Sequence, residues 1–564
     1  MKNELTYIKK NFFSKTNIIM KKIKTENRWG LTRISLLCLV IANASICYAQ
    51  VSEAERKSIT TPDKVESKLG MLNFKDGVPD AATTQKLYDE LDYIHAVDAF
   101  MYGYPAVNQL AIRKGFIKNG INDNDFIATS GLMTAKSLFL TANADTYYFW
   151  SYVDLTHGPM VVETPPGALG IFDDMWWTWI SDFGLPGADR GEGGKYLLVP
   201  PAYKGSLPEG GFYVRQCNTW QSACLGRLFL QDNDPKPVDE IVKKTLKIYP
   251  YIPGSIGSSI GMFLNGQGAL GQLSKSVSPK FIEGTGKVMN TIPPADYSFF
   301  ELLNEVVQTQ PVESMDAEIL GQCAAIGIVK GKPFNPDDRM KKILTEAVVV
   351  ANATSRAVMT NPRASEGFSY YGGDSKWFNS LFTGGYTFTT PPPEITKDGV
   401  KPYASDGARK LNARIWFFYL ATGVTPAMCM RMENVGSQYL CAFFDNKNIP
   451  FDGNKTYKVT LPPNIPAARF WSFTVYDNQS RSFLETPQLY PRAGSQSYPS
   501  PAAKANADGS TTVYFGPKQP DGIDRGNWIQ TMPGKGWFTI LRLYSPLRPF
   551  FDKSWRAGEI EEVK

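Results

Sequence analysis

The stretch Gly167–Pro201, GALGIFDDMWWTWISDFGLPGADRGEGGKYLLVPP, decides how the fold is interpreted. Short β-rich runs, ALGIFD, WWTWISD and KYLLVP, alternate in it with loops rich in glycine and proline. The same pattern reaches from Leu138 to Cys217, with a strand and a turn at intervals of roughly ten to fifteen residues. This spacing favours a β-sandwich or jelly roll. No helical crossovers separate the runs, which counts against a parallel α/β sheet.

The regions outside this stretch follow other patterns. Leu87–Lys114 has helical spacing that Tyr104-Pro105 disturbs, which predicts one amphipathic helix and a second short one. The middle third carries helical runs at 237–249, 298–309, 337–359 and 408–423, and the last third returns to alternating, aromatic-rich strands. We therefore predict a mixed β/α protein with two β-sandwich, jelly-roll-like domains and a mainly helical region between them.

A targeting segment begins the chain. Arg28 and Arg33 precede an apolar run from Ile34 to Ala49, and the run ends in the small residue that signal peptidase requires. This run is shorter than the ~20 residues of a membrane-spanning helix. We expect a periplasmic or secreted protein with no integral membrane segment after cleavage. The predicted ranges are 1–49 for the signal peptide, 50–86 for a linker, 87–235 for the N-terminal β-sandwich with its leading helices, 236–440 for the helical region and 441–564 for the C-terminal β-sandwich.

Charge narrows the class of partner. The whole chain carries a net charge of +6, but residues 1–49 hold nine Lys/Arg and two Asp/Glu, a net of +7, which leaves 6 − 7 = −1 for the remainder. A nearly neutral surface gives no support for binding nucleic acid. We expect a small-molecule or glycan-like ligand, and self-association into a homo-oligomer stays open.

Several cofactor and metal classes lack their motifs. The chain has two histidines and no HExxH, CxxC or GxGxxG motif, so we expect no metal site and no cofactor. A Ser-His-Asp triad would have to use one of the same two histidines. Five cysteines follow the leader, and Cys217 with Cys224 either form one bridge or remain buried thiols.

Carboxylates are the candidate catalytic groups. Asn143 and Asp145 lie in a short polar segment, where they either cap a turn or face a cleft. Asp173 and Asp174 are adjacent, so their side chains point to opposite faces of a strand and only one can join a given site. The other carboxylate of an acid/base pair would come from a residue such as Asp145, Glu163 or Asp189.

The ligand-binding candidates are aromatic and basic. Trp176 and Trp177 either stack on a ligand or pack in the core. Arg190 and Lys195, in the glycine-rich loop, either hold an anion or pair with nearby acids. In the last third the candidates are Trp528, Lys535 and Arg542. Lys535 and Arg542 either bind a carboxylate or pair with Asp477 or Asp552, and strand alternation places Arg542 on the face opposite Leu541 and Leu543.

Longer motifs resemble a known family. YGYPAVNQLAIRKGF, KSLFLTANADTYY and the opening stretch resemble the domain of unknown function numbered 1254. RFWSFTVYDNQSRSFLE, NADGSTTVYFGP and NWIQTMPGKGWFTILRLYSPLRPFFDKSW resemble its companion, numbered 1214. The resemblance implies two β-sandwich, jelly-roll-like domains around a helical region, and it supplies no catalytic mechanism.

Two functions remain. The first is an exported enzyme that uses carboxylate acid/base chemistry, with Asp145, Asp173 or Asp174 as the acid or base and Arg190, Lys195, Lys535 and Arg542 as anchors. The alternative is a non-catalytic ligand-binding or assembly protein of the envelope, in which Trp176 and Trp177 contribute to binding. Convergence of the candidates in one concave pocket would favour the enzyme.

Overall fold

The computed structural model describes residues 52–253, 279–390, 394–396, 399–401 and 408–564. The predicted signal peptide at 1–49 lies outside these residues. The chain divides into two compact units, one that ends at Asp89 and one that runs from Glu90 to Lys564. The candidate site described below lies wholly within the second unit.

The first unit has regular structure where the sequence predicts a linker at 50–86. Its strands form a small antiparallel sheet in the order β1-β2-β3. Gly70 and Gly77 turn the chain with φ of +82° and +81°, values that glycine adopts without strain. Leu72 is the only buried residue of β2, so the segment lacks the apolar alternation that marks a strand in sequence. The elements are α1 (Glu53–Ile59), β1 (Lys64–Ser67), β2 (Gly70–Lys75) and β3 (Val78–Pro79).

One long helix replaces the two predicted leading helices. Helix α2 runs from Ala81 to Lys118 without a break at Pro105. Proline removes one backbone hydrogen bond from a helix interior, which usually kinks or ends it. Here Tyr104, Ala106 and Val107 are buried in the core beside Pro105, and this packing supports the helix through the proline.

Two open sheets form the N-terminal part of the second unit. The larger has the order β14-β4-β6-β12-β8-β9 and the smaller the order β11-β10-β7-β13. Phe149, Phe172 and Phe183 of the larger sheet share a core with Val162 and Tyr196 of the smaller. The strands of these sheets are β4 (Phe126–Ala128), β6 (Thr146–Asp154), β7 (Met160–Glu163), β8 (Leu169–Asp174), β9 (Trp179–Gly184), β10 (Lys195–Val199), β11 (Tyr213–Gln216), β12 (Gln221–Phe229), β13 (Lys247–Pro250) and β14 (Phe281–Glu283). The short strand β5 (Ser137–Leu138) belongs to neither sheet.

Helices dominate the middle of the unit. Helix α6 begins where Asp337 accepts a hydrogen bond from the Met340 backbone N–H, the capping arrangement that acidic residues favour. Helix α8 is buried from Ala413 to Leu420. The helices are α3 (Lys236–Thr245), α4 (Ser298–Thr309), α5 (Ala317–Ala325), α6 (Asp338–Thr360), α7 (Leu381–Gly384), α8 (Leu411–Leu420) and α9 (Pro426–Cys429), and the short strands are β15 (Met289–Asn290), β16 (Thr389–Thr390), β17 (Glu394–Thr396), β18 (Gly399–Lys401) and β19 (Ala408–Arg409).

Two four-stranded sheets form the C-terminal part. Their orders are β20-β26-β22-β23 and β25-β24-β21-β27. Phe473 and Leu541 of the first sheet pack with Val459 and Phe515 of the second. The elements are β20 (Ser437–Ala442), β21 (Tyr457–Leu461), β22 (Ala467–Asp477), β23 (Arg492–Gly494), β24 (Thr511–Gly516), β25 (Trp528–Gln530), β26 (Trp537–Pro546), α10 (Arg548–Phe551) and β27 (Glu561–Glu562).

The class of the fold is mixed β/α, as the sequence predicts, and it is built from open sheets with helices among them. A third core connects the parts: Trp150 of β6, Phe417 of α8 and Ile540 of β26 all belong to it. No helix in the described ranges is long and apolar enough to span a membrane.

Candidate functional site

One face of the large N-terminal sheet lines a cavity. On β12, Arg227 lies directly opposite Tyr148 of β6 and Leu169 of β8. Directly paired residues on neighbouring strands share a face of the sheet. Two residues earlier, Leu225 lies opposite Trp150 on the same face. The cationic and aromatic groups therefore converge, although they come from strands some eighty residues apart in sequence.

One face of the C-terminal sheet lines the other side. Tyr439 of β20 lies opposite Arg542 of β26. Leu541 and Leu543, the neighbours of Arg542, pack into the C-terminal core instead. The alternation of β26 thus directs Arg542 away from that core and toward the large N-terminal sheet, as its sequence parity predicts.

The space between these faces forms the first lobe of the cavity. This lobe holds about 820 Å³ of space free of protein atoms, counted together with its mouth. Helix α8 closes it with Trp416, Phe417 and Leu420. The remaining wall is mainly apolar and includes Met133, Phe139, Leu140, Trp150 and Ile540, while the polar residues are Thr141, Asn143, Tyr148, Arg227, Asn379, Thr422, Tyr439 and Arg542.

A second lobe continues from the first over β8 and β9. It holds about 600 Å³, counted in the same way. Leu169, Ile171 and Asp182 line it from the sheet, and the segment after α8 lines it from the other side. The two lobes share Tyr148, Leu225, Arg227, Thr422, Met428 and Tyr439. The site is therefore one elongated cavity.

Arg227 lies where the lobes meet. Its Nη2 donates to Ser437 Oγ at 2.9 Å, and its guanidinium lies 5.7 Å from the ring centre of Tyr544. Burial alone would lower the pKa of Arg227, but the hydroxyls of three tyrosines outweigh it and raise the pKa. The guanidinium stays charged. Those tyrosines are Tyr439, Tyr148 and Tyr544.

Arg542 is more deeply buried, at 3% exposure. Its Nη2 donates to the carbonyl oxygen of Thr141 at 2.7 Å, while Nη1 has no hydrogen-bond partner in the protein. Burial acts to lower the pKa of Arg542, and Tyr476, Tyr544 and Asp145 reverse the direction. Neither Arg542 nor Arg227 forms an ion pair with a carboxylate of the described residues.

The first lobe has unpaired donors, whereas the second has an unpaired acceptor. The buried polar atoms of the first-lobe wall that lack a partner in the described protein are all N–H donors. They are Trp150 Nε1, Trp416 Nε1 and Arg542 Nη1. In the wall of the second lobe the corresponding atom is Oδ1 of Asp182, an acceptor. Buried polar groups without hydrogen-bond partners are rare in folded proteins. The unpaired donors of the first lobe and the unpaired acceptor of the second therefore bear on the chemistry of a ligand.

Asp182 is 7% exposed. Burial raises the pKa of its carboxyl to about 7, although Thr425 and Trp179 lie close enough to limit the rise. Asp182 pairs with Ile171 across the β8–β9 hairpin, which places it on the same face as Asp173. Burial also raises the pKa of Asp173, with Asp174 and Asp182 adding to the effect. The carboxyls that share a face are Asp173 and Asp182.

The two sheets that enclose the cavity are formed largely by residues that match two known sequence families. Residues 124–250 match a family of proteins of unknown function, DUF1254, and residues 436–548 match another, DUF1214. The chain therefore matches both of the domains that its longer motifs resemble. Tyr148, Asp182 and Arg227 come from the DUF1254 domain, and Tyr439 and Arg542 come from the DUF1214 domain.

Two solved structures resemble the paired-domain chain. The VPA0106 protein from Vibrio parahaemolyticus is 18% identical, with a TM-score of 0.48 over 84% of this chain and 100% of that one. An uncharacterised protein from Burkholderia cenocepacia is 11% identical, with a TM-score of 0.33 over 86% and 97% of the two chains. No curated protein sequence matches the chain.

The DUF1254 carboxylates chosen from sequence do not line the cavity. Asp145 forms an ion pair with Arg492, with 2.7 Å between Oδ1 and Nε and both side chains fully buried. Its Oδ2 accepts from Ser472 Oγ at 2.6 Å and from Tyr544 OH at 2.9 Å. Asp145 is therefore committed to joining the DUF1254 and DUF1214 domains.

Asp173 and Asp174 hold backbone segments. Asp173 Oδ2 accepts from the Val424 N–H at 3.1 Å. Asp174 Oδ1 accepts from the backbone N–H groups of Trp176 and Thr178, at 2.7 Å and 2.8 Å. Burial raises the pKa of Asp174 to about 6. The two carboxyls do face opposite sides of β8, as strand geometry requires.

Asn143 fills both roles that the sequence left open. Its Oδ1 accepts from the backbone N–H of Asp145 at 3.0 Å and so caps the turn. Its Nδ2 donates to Tyr148 OH at 2.7 Å inside the cavity wall. Asn143 therefore positions the Tyr148 hydroxyl beside Arg227.

The tryptophan candidates are core residues. Trp176 is 5% exposed and Trp177 2% exposed, and both belong to the core that connects the parts of the unit. Trp177 Nε1 donates to Asn108 Oδ1 at 2.7 Å. Trp528 is also buried, and its Nε1 donates to the carbonyl of Gly516 at 3.0 Å. These rings are not available to stack on a ligand.

Three basic candidates lie away from the cavity wall. Arg190 is exposed, in a loop where its φ is +50°. Lys195 lies 3.8 Å from Glu163, and Lys535 lies 3.1 Å from Asp477, the acid that sequence offered as its partner. These lysines make surface ion pairs.

The cysteines and the metal-ligating side chains of the described residues form neither a disulfide nor a metal site. Cys217 and Cys224 are free and buried, so the bridge between them is absent, and burial raises the pKa of both thiols. In the part of the chain that the structure describes, no cluster of three or more His, Cys, Asp or Glu side chains is arranged to hold a metal ion.

Sequence reasoning missed Tyr148, Arg227, Asp182 and Tyr439. Arg227 and Asp182 are each the single charged residue of their strands, and Tyr148 and Tyr439 are tyrosines within strands. A polar residue whose strand parity matches buried neighbours was the available signal, and Arg542 was found by that rule. Strand parity alone does not predict that β6, β8 and β12 pair with one another.

Proposed function

We propose that this chain binds an amphipathic organic anion in the cavity between its DUF1254 and DUF1214 domains. A carboxylate head lies between Arg227 and Arg542, and a hydrocarbon body follows the apolar wall. The observation that carries the proposal is the presence of these two guanidinium groups in an apolar cavity without a carboxylate partner in the described wall.

The energetics favour an anion. A buried guanidinium costs several kcal/mol when its charge is not compensated. The tyrosine rings near Arg227 and Arg542 offset part of this cost, since contacts between a cation and an aromatic ring contribute about 0.5–2 kcal/mol. A carboxylate would also accept hydrogen bonds from Arg542 Nη1 and from the indoles of Trp150 and Trp416, the donors that lack partners.

The wall favours a hydrocarbon body over a glycan. Met133, Phe139, Leu140, Phe417 and Leu420 contribute carbon surface to the first lobe. Each methylene buried there stabilises a complex by about 0.8 kcal/mol. Sugar hydroxyls in the same place would lose hydrogen bonds to water without replacing them.

A second candidate function is an enzyme that uses a carboxyl as acid or base. The observation in its favour is Asp182, which lines the second lobe with a pKa near 7. A group with such a pKa can both accept and donate a proton at neutral pH. In this version Asp182 takes the role that sequence gave to Asp145, Asp173 or Asp174.

Export and sandwich architecture complete the proposal. The basic residues and apolar run that end at Ala49 support a periplasmic or secreted protein. Open antiparallel sheets that share cores in pairs support two jelly-roll-like sandwiches. Fractionation of cells that express the full chain tests export. The mature chain should appear in the periplasm or medium, and full-length chain retained in the cytoplasm would contradict it.

Displacement of a fluorescent fatty acid tests the binding site. Decanoate should compete, whereas decanol, which has the same tail without the charge, should compete poorly. Arg227→Met and Arg542→Met should each weaken decanoate by about tenfold or more, since a hydrogen bond to a charged group contributes about 1.5–3 kcal/mol. Arg190→Met is the matched control, because Arg190 is exposed on a loop outside the wall.

A folding defect must be separated from a binding defect. Trp416→Phe removes one donor of the first lobe and keeps the aromatic ring, so it should weaken decanoate with little change in melting temperature. Unchanged decanoate affinity in Arg227→Met, Arg542→Met and Trp416→Phe would overturn the proposed site.

A further inference from the structure

We infer that the ligand is bifunctional: it carries a hydrogen-bond donor, a hydroxyl or an amine, at the end opposite its anionic head, and Asp182 receives that donor. This inference rests on the proposed anion site and extends it to the class of ligand. The site then distinguishes ω-hydroxy and ω-amino carboxylates from simple fatty acids.

The two lobes of the cavity contain unpaired buried polar atoms of opposite kinds. In the first lobe the buried atoms without partners are donors, and the ligand must supply an acceptor there. In the second lobe Asp182 Oδ1 is buried without a partner, and the ligand must supply a donor. A ligand with one polar end would leave the unpaired atoms of one lobe without a hydrogen-bond partner, which is unfavourable.

The carboxyl of Asp182 is surrounded by groups that do not neutralise it. Asp173 on the same face of β8 is an acidic group and Cys429 on α9 is a buried thiol, so neither supplies a positive charge. Thr425 and Trp179 act on the carboxyl as uncharged hydrogen-bonding neighbours that limit the rise of its pKa, while Oδ1 itself has no hydrogen-bond partner in the described protein. Arg227 is the cation in the wall of the second lobe, but its Nη2 is directed to Ser437. A donor brought by a ligand would satisfy the free oxygen of Asp182.

The register of the sheet sets the length of the ligand. Arg227 lies opposite Leu169, and Asp182 lies opposite Ile171, two residues further along the same strand. Two residues along β8 and two strand spacings across the sheet put the Cα atoms of Arg227 and Asp182 roughly 12 Å apart. The shared residue Leu225 lies between them on the same face. An extended aliphatic chain of medium length matches this span.

The test compares decanoate with its ω-hydroxy and ω-amino derivatives by the same displacement measurement. Wild-type protein should bind at least one derivative about tenfold more tightly than decanoate, the gain expected for one hydrogen bond to a charged group. Which derivative gains distinguishes a hydroxyl from an amine. Asp182→Ala should remove the preference, so that decanoate and its two derivatives bind with similar affinity.

A conservative variant and a control protect the result against a folding defect. Asp182→Asn keeps an acceptor and should retain part of the preference for the hydroxyl but lose that for the amine. Glu192→Gln, on an exposed loop residue, should change neither. Equal binding of decanoate and both derivatives by wild-type protein would overturn this inference while leaving the anion site standing. Failure of decanoate itself to bind would overturn the anion site first.

Discussion

The stretch Gly167–Pro201 and the cavity between the two domains use polar groups in opposite ways. In the stretch, Asp174 and Asp189 accept bonds from their own turns, and Trp177 is bound to Asn108. In the cavity, Arg227 and Arg542 form no ion pair with a carboxylate of the described residues, and Asp182 lies apart from both in the second lobe. A dense local cluster of charge reflects the needs of a tight loop. A site is better indicated by isolated polar groups on apolar strands that the fold brings together.

The largest effect is expected at Asp145, the catalytic candidate that turned out to join the domains. Asp145→Ala leaves Arg492 as an uncompensated buried charge, and breaking such a pair costs about 3–5 kcal/mol of unfolding free energy. Chemical denaturation measures the loss. The double variant Asp145→Asn with Arg492→Met should recover much of it. Full stability of Asp145→Ala would return Asp145 to the list of catalytic candidates.

A pH-dependent effect is expected at Asp182. Its pKa rises from an ordinary 3.8 to about 7 on folding, so the folded state binds more protons than the unfolded state between these values. Stability should therefore fall as pH rises from about 4 to 7, by up to about 4 kcal/mol from this group. Asp182→Asn should flatten the profile, although Asp173 and Asp174 keep part of the slope. Parallel profiles for the variant and wild type would contradict a buried titrating Asp182.

A pair of tryptophan variants compares the two regions directly. Trp177→Phe leaves buried Asn108 Oδ1 without its donor and should cost about 1–3 kcal/mol of stability with no loss of decanoate affinity. Trp416→Phe removes a donor that has no partner, so it should weaken decanoate and change stability little. The reverse pattern would place the binding surface in the stretch and not in the cavity.

The smallest effects are expected at the basic residues of the glycine-rich loop. Lys195→Met breaks an ion pair of 3.8 Å at a partly exposed position, and such pairs contribute about 0–1 kcal/mol. Arg190→Met should change neither stability nor affinity. A loss of anion binding in either variant, measured by displacement, would make the loop part of the site.

Local patterns in the sequence predicted much of the fold. The run 298–309 coincides with α4, and 337–359 nearly coincides with α6, because apolar period and N-terminal capping act within a few residues. The prediction at Pro105 was wrong because tertiary packing outweighs a local breaker. The sheet at 64–79 was missed because it buries too little apolar surface to leave an alternating pattern.

The site was much less predictable. Asn143 and Arg542 were identified as candidates and do line the cavity, but Arg227 and Tyr439 come together only through contacts that span more than two hundred residues. Predicting that Asp182 lines the cavity requires the register of the β8–β9 hairpin, and this register shifts by one residue at Phe172/Asp173. Pairing of this kind depends on the assembled sheets, which no short motif encodes.

A crystal structure with brominated decanoate tests the central claim most directly, since the bromine marks the tail and the carboxylate marks the head. We expect the carboxylate within hydrogen-bond distance of Arg227 and Arg542, with the bromine in the same cavity. A carboxylate bound at Arg190 or Lys195, or a cavity that excludes the ligand at saturating concentration, would contradict the anion site.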